Sequence, residues 1–106
     1  MNRGTISSHR VDLTKEHLDI FLETETHLET YEASSEKMDE LLLRKKILCS
    51  KKNPHRKLYL DYEGYLAQDR GFVKILWKGF YITKMNVFPD EIKMSLVDNQ
   101  NLVLEF

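Results

Sequence analysis

The stretch H17-L-D-I-F-L-E23 decides how this chain is read. Its residues alternate with the period of a strand: Leu18, Ile20 and Leu22 fall on one face, His17, Asp19 and Phe21 on the other. His17 and Asp19 therefore emerge on the same side, about 7 Å apart along the backbone. That spacing lets an imidazole and a carboxylate converge on one divalent ion. The donor mixture suits zinc, manganese or iron better than calcium. His9 lies upstream, close enough to occupy a neighbouring strand and supply a third ligand. Each residue also has a plainer reading: a wet strand face for His17 and Asp19, a frayed terminus for His9.

The same alternation continues outward. T-E-T at 24–26 predicts a turn, with a return strand through H27-L-E-T-Y-E32. Residues 36–47 are the one helix-like stretch; Met38, Leu41, Leu42 and the stem of Arg44 are expected to share a side, and Ser34 or Ser35 is the expected cap. Asn53-Pro54 breaks the chain. K57-L-Y-L-D-Y62 alternates again, with Leu58, Leu60 and Tyr62 on one face. Gly64 and Gly71 bracket a loop. F72-V-K-I-L-W77, then Lys78-Gly79, then F80-Y-I-T-K-M85 reads as a tight hairpin. Pro89-Asp90 predicts a turn before E91-I-K-M-S-L-V97, and D98-N-Q-N101 another before the final L-V-L-E-F. Regularly spaced short strands with so little helix predict a mainly β fold. The expected form is a small antiparallel β-barrel or sandwich, the barrel preferred, with one short helix, spanning 1–106 as a single domain.

Composition narrows the function classes. With 42% hydrophobic and 31% charged residues among 106, the chain has the balance of a soluble globular protein. No apolar run approaches the ~20 residues of a membrane-spanning helix, and the first residues lack the apolar middle of a secretory signal. A single cysteine, Cys49, excludes an internal disulfide and a Cys-based zinc site, so a reducing cytoplasm is the expected location. The net charge of −1 argues against general affinity for nucleic acid, but it hides an asymmetry. Residues 16–40 carry nine acids and one base, whereas 44–57 carry seven bases and no acid. Such a basic stripe either holds phosphates or guards an exposed strand.

His55 and Tyr59 form a second pair, four residues apart and on one face if the segment is extended. Beside the basic stripe they suit phosphate binding and proton donation; the plainer alternative is a loop histidine and a packing tyrosine. His27 sits on the acidic return strand with no assigned role. No phosphate-binding glycine loop or nucleophile elbow occurs. Trp77, Phe80 and Tyr81 beside Lys74, Lys78 and Lys84 are expected to pack the hairpin rather than form a base-stacking platform.

Taken in order, H17-L-D-I-F-L-E, H55-R-K-L-Y59, L60-D-Y-E-G64 and the glycine-bearing loop leading to Trp77 resemble the 3′-phosphoesterase domain of bacterial DNA ligase D and its small stand-alone relatives. The resemblance runs from about His9 to the end. It implies a small β-barrel with a divalent metal, usually manganese and alternatively zinc, that removes 3′-phosphates and terminal ribonucleotides in DNA repair. It implies His9, His17 and Asp19 as metal ligands, His55 at the scissile phosphate, and Tyr59 completing the site. Lys52 and Arg56 of the basic stripe would help to hold the phosphate, and a DNA ligase or polymerase would be the partner. One departure stands out: the family's arginine two residues after the Asp is Phe21 here, and a phenyl ring offers no fork to a phosphate. Three readings stay open: a metal-dependent phosphoesterase, a non-catalytic relative that binds a nucleic-acid end or repair partner, and a plain interaction barrel.

Overall fold

The computed structural model describes the backbone of residues 2–82, 91–97 and 101–105 and the side chains of 2–81. In chain order the elements are β1 (Asn2–Arg10), β2 (Glu16–Glu23), β3 (Leu28–Ser34), α1 (Lys37–Leu42), β4 (Ile47–Leu48) and β5 (Ser50–His55). A 3-10 turn (Lys57–Leu60), β6 (Gly64–Tyr65), a second 3-10 turn (Ala67–Asp69), β7 (Phe72–Ile82), β8 (Glu91–Val97) and β9 (Asn101–Glu105) follow. The strands lie in the order β4-β8-β9-β7-β1-β2-β3-β5, with β6 added beside β7. All neighbours are antiparallel except β7 and β9, which run parallel. The fold is thus mainly β with one short helix. Among the described residues the hydrogen-bonded ladder is open. Its two end strands, β4 and β5, are nevertheless a single run of chain separated only by Cys49. No helix among the described residues is long and apolar enough to cross a membrane.

The alternation in β2 places its residues as the sequence predicts. Leu18, Ile20 and Leu22 are buried with Ile6, Tyr31, Ala33, Leu41, Ile47, Cys49 and Tyr81 in the main core. Each such aliphatic side chain contributes about 1.5–3 kcal/mol by leaving water. The opposite face of β2 is also covered. Phe21 packs with Leu28, Leu60 and Tyr59 in a second cluster, and Thr5 Oγ1 donates to the Leu60 carbonyl at 2.7 Å. The Lys57–Leu60 turn therefore lies over the polar face of β2, and that face is not open to solvent along its whole length. Thr24 turns the chain between β2 and β3, its amide and hydroxyl both donating to the His27 carbonyl.

Several local expectations are corrected, the chain break at Asn53-Pro54 among them. The segment 57–62 is not a strand: Lys57–Leu60 coils into a 3-10 turn, because it caps the Phe21 cluster rather than joining the ladder. Consequently His55 and Tyr59 do not lie on one extended segment. The strand lies upstream at Ser50–His55 and includes Pro54. Its register with β3 slips between Leu28 and Thr30, so the residue without an amide donor falls in the irregularity on an edge strand. Lys78-Gly79 is no hairpin. β7 runs on through it, pairing with β1 from Arg10–Phe72 to Asn2–Tyr81, with a register shift between Ile6–Trp77 and Ser7–Ile75. Gly79 is required for close approach instead, since a Cβ there would meet the Trp77 ring. The helix is also shorter than expected. Glu36 stands at its N-terminus without a side-chain cap, Arg44 follows with φ +63°, and Leu42 is exposed rather than core-facing. The expected turn at 89–90 and most of that at 98–101 lie outside the described residues.

Candidate metal centre

Pairing of β1 with β2 sets Ser7 opposite Asp19 and His9 opposite His17. Pairing of β2 with β3 sets Glu32 on the far side of Asp19. Directly opposed residues share a face, so two adjacent rows result: Ser7–Asp19–Glu32 and His9–His17–Ser34.

His9 Nδ1 lies 3.6 Å from Asp19 Oδ2, and His17 Nε2 lies 3.1 Å from Asp19 Oδ1. The two rings meet edge to face, with centroids 4.8 Å apart. One donor atom from each of His9, His17 and Asp19 falls within 4.8 Å of the others, a possible metal-binding triad. An ion bonded at about 2.1 Å sets its ligands about 3.0–4.2 Å apart, so closure needs side-chain movement on the order of 1 Å.

The outer contacts suit this use. His9 Nε2 lies 2.7 Å from the carbonyl oxygen of Arg70. A carbonyl only accepts, so Nε2 carries a proton, and Nδ1 is the nitrogen left facing Asp19. Metal-ligating histidines are oriented by such second contacts. Arg70 is placed by Gly71, whose φ of +103° and crowding against the Arg10 carbonyl exclude a side chain. The Asp19 hydrogen bond raises the His17 pKa above its ordinary value; burial opposes it, and the charges of Asp19 and Glu32 add to it.

His55 lies farther along the same face. Its ring centroid is 5.3 Å from Phe21 and 5.8 Å from Tyr59. Nδ1 lies 3.1 Å from the Asn53 carbonyl and 3.0 Å from Thr30 Oγ1, whose hydroxyl donates to the Leu28 carbonyl. Both partners accept, so Nδ1 carries a proton, and Nε2 is the ring nitrogen left to face other groups. The Arg56 guanidinium lies 5.9 Å from the centre of the Tyr59 ring. Lys52 is engaged by Glu32 at 3.6 Å, and Lys51 by Glu29 at 3.1 Å. Pairing β3 with β5 thus sets the acidic run against the basic one and neutralises part of the stripe.

The fold therefore gathers His9, His17 and Asp19 at one point. It places His55 and Tyr59 around Phe21, with Arg56 against the Tyr59 ring and Lys52 turned to Glu32. Sequence reasoning missed Glu32, whose Oε1 lies 3.4 Å from His17 Nε2. The hairpin itself held the signal: a turn at 24–26 that pairs Glu23 with Leu28 also pairs Asp19 with Glu32. Comparison with protein-family models, with curated proteins and with solved structures finds no match to this chain.

Proposed function

We propose that this protein is a divalent-metal-dependent phosphoesterase acting on the 3′ ends of nucleic acid, removing a 3′-phosphate or terminal ribonucleotide. The observation that supports it is the convergence of His9, His17 and Asp19 from two adjacent strands, with a fixed imidazole, His55, on the same face. The three would hold a divalent cation, manganese by preference, which when bound would neutralise charge at a phosphoryl oxygen and orient the attacking water. His55, with Nδ1 anchored, presents Nε2 to accept a proton or, when protonated, to grip a phosphate oxygen. Tyr59 supplies a phenol beside it, and Arg56 a cation that needs only to leave the Tyr59 ring. This reading carries a cytoplasmic repair setting, with a DNA ligase or polymerase as partner.

Phe21 favours a second reading. The ring is only 2% exposed and fills the position from which the resembled family extends its arginine. A protein lacking that fork would bind a nucleic-acid end without turning it over; loss of one transition-state contact of this kind costs about 3 kcal/mol, roughly a hundredfold in rate. The deciding assay follows phosphate release from a 3′-phosphorylated primer with Mn2+. Release that disappears in His55→Ala supports the enzyme. Binding of Mn2+ and primer without release supports the end-binding relative, and binding of neither removes both.

A further inference from the structure

The row Ser7–Asp19–Glu32 carries more than the triad uses. Glu32 directs Oε1 toward the same His17 nitrogen that faces Asp19, at 3.4 Å against 3.1 Å. Its other oxygen, Oε2, is 3.6 Å from Lys52 Nζ, which holds the carboxylate over the face. At the opposite end of the row Ser7 is 0% exposed, and its hydroxyl has no hydrogen-bond partner among the described residues. An orphaned buried hydroxyl costs about 1–3 kcal/mol. This one stands opposite Asp19, on the face where both imidazoles turn.

Resting on the proposed metal-dependent reading, we propose that Glu32 is a fourth protein ligand, making a two-histidine, two-carboxylate centre, with Ser7 Oγ bonding a water or ligand oxygen beside Asp19. Two carboxylates neutralise a divalent charge within the protein. Two oxygens beside two nitrogens harden the donor set, which favours Mn2+ or Fe2+ over a tetrahedral zinc site. A six-coordinate ion would keep two positions, the number that one phosphoryl oxygen and one water require.

Mn2+ and Zn2+ titrations by calorimetry, with Mn2+ electron paramagnetic resonance, test this on the intact protein. Glu32→Gln is expected to weaken Mn2+ binding at least ~10-fold, to alter the Mn2+ spectrum, and to lose less Zn2+ affinity. Ser7→Ala is expected to weaken Mn2+ less than Glu32→Gln does. Glu29→Gln, the same charge change on the same strand but on the alternate face, should stay within about twofold. Binding by wild type that is abolished in Asp19→Asn yet unchanged in Glu32→Gln would overturn the fourth ligand and leave the triad standing. Equal losses in Glu29→Gln and Glu32→Gln would reduce Glu32 to a distant charge and also overturn it. A wild type that takes up no Mn2+ would remove both the proposed function and this inference.

Discussion

Phe21 packs its ring 5.3 Å from the imidazole of His55, two residues along β2 from Asp19. It shares its cluster with Leu28, Leu60 and Tyr59, so it acts as the packing centre beneath the Lys57–Leu60 turn. Phe21→Ala is expected to lower stability by about 3–5 kcal/mol in urea denaturation, and Phe21→Leu by less than about 1.5 kcal/mol. Phe21→Arg buries an unpaired cation and should destabilise rather than restore a phosphate grip. An arginine variant as stable as wild type with faster phosphate release would show that the ring is a replaceable plug.

Manganese is expected to raise the melting temperature through the triad. At a free concentration one hundred times Kd, a ligand specific for the folded state stabilises by about 2.7 kcal/mol. For a chain of this size that is a shift on the order of 10 °C. His17→Ala and Asp19→Asn should abolish the shift. Equal shifts in wild type and both variants would place the ion elsewhere.

The raised pKa of His17 gives a signed pH dependence to the metal-free protein. A histidine whose folded value exceeds its unfolded value contributes its full stabilisation below the unfolded value, about 6.5. That contribution is lost as pH rises through the folded value. Denaturation in EDTA should therefore show this stability declining from about pH 6.5 upward, with the slope flattened in Asp19→Asn. Metal binding runs the other way, because the ion must displace the His17 proton and is held more tightly as pH rises. A metal affinity independent of pH across that window would remove His17 from the ligand set.

Gly71 links backbone geometry to the site. Its left-handed φ sets the Arg70 carbonyl against His9 Nε2. Gly71→Ala is expected to cost more than about 1 kcal/mol and, by displacing that carbonyl, to weaken Mn2+ binding beyond what the stability loss explains. An alanine variant that keeps wild-type Mn2+ affinity while melting earlier would make the glycine purely structural.

Period-two alternation made β2 and its two faces legible from the sequence, and with them the direction of His17 and Asp19. The meeting of His9 with His17 needed only an antiparallel neighbour. What escaped depended on partners remote in sequence. Lys78-Gly79 has turn chemistry, yet β1 offers Thr5 and Gly4 as partners there and β7 continues as a strand. K57-L-Y-L-D-Y62 has strand chemistry, yet Leu60 is drawn down onto Phe21 and Leu28, and the backbone coils. Lys52 looks free for phosphate until β5 is set beside β3, where Glu32 takes it.

The run from Ile47 to His55 pairs with β8 at one end and β3 at the other. One short piece of polypeptide thus serves as the seam for both extremities of the ladder. Such remote pairings pay their chain-closure entropy before any contact rewards it. Refolding is therefore expected as one slow all-or-none event, and a nick within that seam should release the N-terminal hairpins and the C-terminal strands together.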